Sequence, residues 1–232
     1  MFNYLILTLI LFLGPIELPN HLNYDTIAAK IQPTPTYALF KYDHSGFKKG
    51  DKVKILEDVK QGSIYCIQKD TIITWVNHYV LEILPPTSPS PPSLTSSELE
   101  YYANTKDFTS ITPYYLWVDL WRQKLYVFYA KHNDWLLVKE IPCATGKPTT
   151  PTVRGTFTLL ERGEALHSSE RVHYWIKFYK NYLFHSLPLG PQNEVIDHRL
   201  GEPISNGCIR LLEEDAKWLY ETIPNETTVW IY

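Results

Sequence analysis

Short apolar runs separated by polar turns mark the first third of the chain. Between about residues 31 and 84, polar and apolar residues alternate over Asp51–Leu56, and β-branched or aromatic residues fill Ile64–Ile67 and Ile72–Val76. Gly62-Ser63 marks a turn between two of these runs. Strands this short and this closely spaced predict a small β-barrel.

A second series of strand patterns begins near Pro113 and predicts a mostly β domain over residues 113–232. Two paired strands are expected around a turn at Trp121-Arg122-Gln123. A helix is predicted at Glu213–Thr222, because acidic residues occupy its first turn and Pro224 follows its end. The predicted strands are Tyr115–Leu120, Lys124–Tyr129, Trp135–Ile141, Gly155–Leu160, Tyr174–Phe178 and Thr228–Tyr232.

Residues 85–112 separate the two series. Their first part, Pro85 to Ser93, is so rich in Pro, Ser and Thr that it predicts an extended, semi-rigid linker rather than a helix or strand. Within the same range, residues 96–109 could add a short polar helix. The sequence therefore predicts a domain boundary here.

An apolar run, Leu5–Leu13, lies near the N-terminus. It is shorter than the roughly 20 residues that span a bilayer and has the length of an export-signal core. No Lys or Arg precedes it and no small-x-small cleavage motif follows it. We expect residues 1–20 to be a signal sequence or a membrane anchor, so contact with a membrane would arise only through this segment if it is uncleaved.

Charge and cysteine content exclude several functions. The formal net charge is −3 and no Lys/Arg stripe is present, so we expect no nucleic-acid partner. Cys66, Cys143 and Cys208 are far apart and form no C-x-x-C pair, so neither a metal nor a cofactor is predicted. An odd number of cysteines in an exported protein leaves a thiol to be explained.

The setting of Cys208 favours a nucleophile. It ends Ser205-Asn206-Gly207-Cys208, where successive backbone N–H groups could converge on an oxyanion, and the predicted helix starts soon afterwards, a position that favours thiolate. Gly207 permits a tight backbone conformation. Cys66 lies inside a predicted strand and Cys143 at an apolar strand end, and both are expected to be structural.

A thiol nucleophile gains from a nearby base. His185, at the end of the apolar strand Tyr182–Phe184, is the preferred candidate, and His198 is its rival. His167 and His173 are weaker candidates because both lie in a polar stretch that is typical of a loop.

Ordered motifs from residue 115 onwards resemble the YkuD-type L,D-transpeptidase catalytic domain. The matching segments are Ile141–Gly146, Thr149–Thr152, Gly155–Phe157, Phe184–Ser186, Leu200–Pro203, Ser205–Leu211 and Asp215–Trp218. The resemblance implies a β-sandwich-like fold with one or two helices, and peptidoglycan stem peptides as partners. Asn206 stands where the family most often has histidine, which backbone-mediated chemistry should tolerate.

The resemblance also implies a role for each matching residue. Cys208 is the nucleophile, His185 the proton donor and acceptor, and Ser186 orients the histidine. Backbone amides at Asn206, Gly207 and Cys208 form the oxyanion hole, and Arg210 shapes the site. Carbapenems should acylate Cys208, because they mimic the acyl donor.

Three other activities remain open at this stage. An L,D-carboxypeptidase would use the same residues with water as acceptor, and a catalytically silent wall-binding protein would need neither Cys208 nor His185. A papain-like peptidase is disfavoured because its cysteine precedes its histidine.

The N-terminal strands resemble a bacterial SH3-like domain over residues 30–84. The matching segments are Tyr37–Phe40, Phe47–Asp51 and Trp75-Val76. Such modules are similar to binders of wall peptides, although a spacer that binds nothing is an equal alternative. The whole chain is thus expected to be a mostly β protein acting outside the cytoplasm, at the cell wall or cell surface.

Overall fold

The computed structural model describes residues 22–31, 36–57, 64–85, 90–167 and 171–232. The apolar run Leu5–Leu13 lies outside these ranges, so the signal or anchor stays a prediction. Within them, every helix is too short or too polar to cross a bilayer. The mostly β fold predicted from the sequence is confirmed.

The N-terminal module, residues 36–57 and 64–85, is a five-stranded antiparallel sheet of order β4-β3-β2-β1-β5. Buried apolar side chains of this sheet, among them Phe40, Ile67 and Leu81, form a hydrophobic core that is separate from the cores of the rest of the chain. A 3₁₀ turn, His78–Val80, connects β4 to β5. The strands are β1 Tyr37–Phe40, β2 Lys52–Glu57, β3 Ile64–Lys69, β4 Ile72–Asn77 and β5 Leu81–Ile83.

The rest of the chain is built on two further sheets and a short parallel pair. One sheet has the order β10-β16-β6-β7-β8, the other β11-β12-β13-β15, and β9 pairs with β14. Their strands are β6 Tyr114–Asp119, β7 Lys124–Lys131, β8 Asp134–Pro142, β9 Thr145–Gly146, β10 Gly155–Thr158, β11 Arg162–His167, β12 Arg171–Tyr179, β13 Tyr182–Ser186, β14 Pro203–Ser205, β15 Ile209–Leu211 and β16 Thr228–Ile231. The helices are α1 Tyr24–Ile31, α2 Ser96–Thr105 and α3 Glu213–Thr222.

Both faces of the β6-containing sheet are buried. Leu116 and Val118 face the main core, which is shared with the second sheet and with α3. Tyr115 and Trp117 face the opposite way, into an aromatic cluster with α1 and α2. This double burial explains why β6 is an unbroken apolar run rather than an alternating one.

Helix α2 lies inside the range predicted as a linker. Its Leu99, Tyr102 and Ala103 are buried in the aromatic cluster, and Thr95 and Glu98 close a capping box at its start. The short helix predicted over residues 96–109 is therefore present and packs against β6, while the domain boundary at residue 113 stays a prediction. The mainly polar composition of α2 hid its narrow buried stripe.

Arg122 anchors the chain on either side of the N-terminal module. Its guanidinium forms a buried ion pair with Asp119 at 2.7 Å. The same group donates to the Lys30 carbonyl at the end of α1 (2.6 Å) and to the Pro92 carbonyl (2.8 Å). Residues before and after the module thus meet on one side chain, and in chain order the module lies between α1 and α2.

Candidate active site

Cys208 and His185 share one face of the sheet with the order β11-β12-β13-β15. Strands β13 and β15 are parallel neighbours, with His185 in register with Arg210. Side chains two positions apart on a strand point to the same face. Cys208 therefore lies on the face that carries His185 and Arg210, whereas Phe184 and Ile209 fill the core on the other face.

This face forms the floor of an open cavity of about 490 Å³. His185, Asn206, Cys208 and Arg210 all line it, so four of the predicted site residues converge on one space. The remaining lining residues are Leu166, Val172, Trp175, Lys177, Asn181, Leu183 and Ser205. A mixed apolar and polar lining of this size suits a peptide better than a small ion.

One hydrogen bond fixes the tautomer of His185. The imidazole is buried, and its Nδ1 lies 2.6 Å from the Ser186 carbonyl oxygen. A carbonyl can only accept, so Nδ1 carries the hydrogen and the neutral ring leaves Nε2 as its proton acceptor. The ring is thus set up to take a proton at Nε2.

Ser186 contacts the histidine through its backbone rather than its side chain. Its hydroxyl accepts from the His173 N–H at 2.9 Å and donates to the Leu187 carbonyl at 2.9 Å. The hydroxyl therefore holds β12 against the end of β13, and it is the Ser186 carbonyl that meets His185.

The helix expected to begin soon after Cys208 starts too late to act on it. Ile209–Leu211 pair with β13 as a strand, and α3 begins only at Glu213. The prediction that the N-terminus of this helix stabilises the Cys208 thiolate was wrong, because strand β15 lies between Cys208 and α3. The Cys208 Sγ instead lies 3.6 Å from the Asn181 carbonyl oxygen, in the turn before β13.

Gly207 has a backbone that an L side chain would strain. Its φ is +121°, and a Cβ added there would lie 2.7 Å from the Tyr182 ring. Its N–H donates to Ser205 Oγ at 3.0 Å. This amide is therefore already paired within the loop, so an oxyanion hole would depend on the amides of Asn206 and Cys208 instead.

Ser205 and Thr152 hold the loop in place; both lie in segments that match the family, but the sequence assigned neither one a role. Ser205 Oγ also donates to the Cys208 carbonyl at 2.6 Å, which closes the turn. Thr152 Oγ1 donates to the Gly207 carbonyl at 2.7 Å and accepts from the Gly146 N–H at 2.8 Å. The tendency of Ser and Thr to bond nearby backbone groups was the available signal.

Arg210 is buried and belongs to a small charge cluster. Its Nη1 lies 3.2 Å from Asp197 Oδ2, and Asp197 is also bound by Arg199. Hydrogen bonds from Arg199 hold the pKa of Asp197 at about 2, below its ordinary value. Asp197 is thus ionised near neutral pH and ties Arg210 to the loop before the nucleophile.

The rival residues lie elsewhere. His198 is exposed and does not line the cavity, and His173 pairs with Glu213 at 2.9 Å. His167 and His173 lie in strands β11 and β12, so the predicted loop was wrong there.

The other two cysteines are buried. Burial raises the pKa of the Cys143 thiol, and Cys66 is buried in the N-terminal module. Among the described residues no group of His, Cys, Asp and Glu is placed to hold a metal ion.

Comparisons with known proteins identify the family of this chain. A family model described as YkuD, L,D-transpeptidase catalytic domain, matches residues 113–231. YciB of Bacillus subtilis, which is named an L,D-transpeptidase, is 34% identical over 137 residues, covering 54% of this chain and 70% of YciB. YkuD of Bacillus licheniformis, similarly named, is 34% identical over 96 residues, covering 41% of this chain and 53% of YkuD.

A solved structure has a similar fold. It is a protein of Clostridium acetobutylicum named as a fused Zn-dependent amidase/peptidase/peptidoglycan-binding domain-containing protein. It is 34% identical, with a TM-score of 0.52, and the match covers 59% of each chain. The chain thus spans 59% of the length of this relative. The family match covers the whole β6–β16 unit, including Cys208 and His185. This chain belongs to the YkuD family of L,D-transpeptidase catalytic domains.

Proposed function

We propose that this L,D-transpeptidase uses Cys208 to form a thioester with a peptidoglycan stem tetrapeptide and passes the acyl group to an amine. The observation that carries the proposal is the single cavity lined by Cys208 and by a His185 whose Nδ1 is committed to the Ser186 carbonyl. A thiol and a proton acceptor facing one peptide-sized space suit acyl transfer.

In the first half-reaction His185 Nε2 takes the thiol proton. The Cys208 sulfur then attacks the carbonyl carbon of the third stem residue, and the amides of Asn206 and Cys208 stabilise the oxyanion. Collapse of the tetrahedral intermediate breaks the peptide bond. His185 returns its proton to the leaving amine of the terminal D-alanine, and a thioester remains.

The second half-reaction runs the same steps in reverse order. An amine from another stem attacks the thioester carbonyl while His185 takes its proton. Collapse of this intermediate expels the Cys208 thiolate, which regains the proton from His185. The product is a cross-link between two stems, and the free enzyme is restored.

Supporting groups keep these atoms in place. Gly207 fits beneath Tyr182, Arg210 is held by Asp197, and the Ser186 carbonyl sets the imidazole plane. Positioning of this kind lowers the barrier because the reacting groups need no further ordering.

Incubation of the pure protein with defined tetrapeptide muropeptides, followed by mass spectrometry, tests the function. We expect dimers linked between two third-position residues. A trimmed tripeptide as the sole product would identify an L,D-carboxypeptidase, with water replacing the amine. Unchanged substrate would support a silent wall-binding protein, which the intact Cys208 and His185 disfavour.

The proposal extends to location and to the N-terminal module. Action on peptidoglycan places the enzyme outside the cytoplasm, and residues 1–20 would serve as its signal sequence or anchor. We assign the N-terminal module as an SH3-like domain on the strength of its small antiparallel sheet and its sequence resemblance. Retention on purified sacculi, compared with a variant whose exposed Trp75 is changed to Ala, tests whether the module binds the wall.

A further inference from the structure

The N-terminal module contacts the catalytic core next to the nucleophile. His78, in the 3₁₀ turn between β4 and β5, has its Nε2 hydrogen-bonded to the Tyr182 hydroxyl at 3.0 Å. The two rings also meet edge to face, with centroids 6.2 Å apart. Tyr182 is the first residue of β13, the strand that carries His185.

Tyr182 in turn touches the nucleophile loop. Its ring packs so closely on Gly207 that an added Cβ would approach Cε1 to 2.7 Å. Its chain neighbour Asn181 places a carbonyl oxygen 3.6 Å from Cys208 Sγ. The turn between β12 and β13 thus borders the Gly207-Cys208 backbone and the reactive sulfur together.

A second set of contacts reaches the same loop from another side. The Ile83 N–H donates to the Pro148 carbonyl at 3.1 Å, and Lys41 Nζ donates to the Thr149 carbonyl at 3.1 Å. The segment they bind continues into Thr150 and Thr152. Thr150 Oγ1 donates to the Ser205 carbonyl at 3.2 Å and Thr152 Oγ1 to the Gly207 carbonyl at 2.7 Å.

We propose that the N-terminal module positions the nucleophile, with His78 acting through Tyr182 on the Gly207-Cys208 turn. This inference rests on the proposed role of Cys208 and adds a function for the module beyond wall binding. His78 is a positioning residue, because it lies outside the lining of the substrate cavity and contacts Tyr182, which borders the nucleophile loop.

The expected kinetic signature follows from this geometry. Losing the His78–Tyr182 bond would let the Tyr182 ring and the Gly207 backbone move, so fewer molecules would hold Cys208 in the attacking position. Substrate contacts in the cavity would persist. We therefore expect kcat to fall and KM to stay constant, on soluble substrates for which wall affinity is irrelevant.

The experiment uses the full chain, four single variants and the His78→Phe/Tyr182→Phe double variant. His78→Phe keeps an aromatic ring but removes the ring nitrogen, His78→Gln can restore a hydrogen bond, and Tyr182→Phe removes the same bond from the other side. His44→Phe is the matched control, since His44 belongs to the same module and its backbone pairs with Phe47. The readouts are kcat and KM on a soluble tetrapeptide, the rate of Cys208 alkylation by iodoacetamide and the thermal midpoint.

We expect His78→Phe and Tyr182→Phe each to lower kcat by about 2- to 10-fold, the rate change that corresponds to the free energy of one hydrogen bond. Alkylation of Cys208 should change rate in both, the double variant should be no worse than either single one, and His78→Gln should recover most of the activity. His44→Phe should match the wild type.

Wild-type kcat and alkylation rate in His78→Phe would overturn the inference, as would additive losses in the double variant. A fall in thermal midpoint with unchanged kcat would also overturn it, because it would show a structural contact alone. The proposed function fails by a different result, full turnover in Cys208→Ala, so the two failures are distinguishable.

Discussion

At the scale of the residue, Cys208 depends on a proton acceptor, because a strand and not a helix follows it. Neutral thiols are poor nucleophiles, so the base must be within reach of the sulfur. We propose His185 as this base, and two features of the backbone support the proposal. Parallel pairing of β13 with β15 puts both side chains on one face, and the Ser186 carbonyl holds Nδ1–H at 2.6 Å.

Replacing His185 by Ala should therefore lower acylation by about 10²- to 10⁴-fold, the usual worth of general-base catalysis. Single-turnover acylation by a soluble tetrapeptide measures this. The matched control is His198→Ala, whose exposed side chain lies away from the cavity and should change the rate little. A larger loss from His198→Ala than from His185→Ala would overturn the assignment of the base.

Thr152 belongs to the same scale. Thr152→Val keeps the shape of the side chain but leaves the Gly207 carbonyl and the Gly146 N–H without their hydroxyl partner. Unpaired buried groups cost about 1–3 kcal/mol, so we expect that loss of unfolding free energy together with slower acylation.

Urea unfolding and single-turnover kinetics measure the two effects of Thr152→Val. Thr156→Val, on an exposed position of β10, is the control and should change neither quantity by much. Wild-type stability and rate in Thr152→Val would show that the loop does not need this anchor.

At the scale of the element, the sequence predicted those helices and strands whose apolar spacing or terminal residues give a clear signal. The bounds of α3 were correct, because acidic residues at its start and Pro224 at its end mark both termini. The hairpin of β6 and β7 was also correct, since its apolar runs flank a short turn. Strand β11 was missed because its exposed, polar residues carry little apolar signal.

Contacts that are distant in sequence could not be predicted in this way. Helix α1 was not predicted: Ile27 and Ile31 lie on one face, but a pattern of only eight residues is weak evidence for a helix without its packing partners in the aromatic cluster. The convergence of Cys208 and His185 depended on the family resemblance, because strand order brings them together and local pattern does not. The pairing of His78 with Tyr182 had no sequence signal at all.

Helix α2 supplies the test at this scale. Leu99 is 1% exposed and packs among the aromatic side chains behind β6. Leu99→Ala should cost about 2–5 kcal/mol of unfolding free energy, because a buried cavity replaces the side chain.

Urea unfolding measures the loss in Leu99→Ala. Leu160→Ala is the control, since Leu160 is 44% exposed and its removal should cost little. An effect of Leu99→Ala no larger than that of the control would show that α2 adds little stability and that residues 85–112 act only as a linker.

At the scale of the whole molecule, the N-terminal module lies between α1 and α2 in the chain, and three of its residues form hydrogen bonds with the catalytic domain among the described residues. These are the bonds made by Lys41, His78 and Ile83. Two of them reach the segment that anchors the nucleophile loop, and the third reaches Tyr182. An enzyme built in this way would couple the state of its accessory module to its chemistry.

Cys208 should be the one reactive thiol among the three cysteines of the chain, and mapping of a covalent adduct tests this most directly. A carbapenem serves as the probe, because attack of a thiolate opens its β-lactam ring and leaves the intact drug mass attached. Intact mass spectrometry followed by peptide mapping should find one adduct, on Cys208. Cys143→Ala and Cys66→Ala should still be modified and Cys208→Ala should not. An adduct that survives in Cys208→Ala, or one that maps to Cys143, would contradict the account.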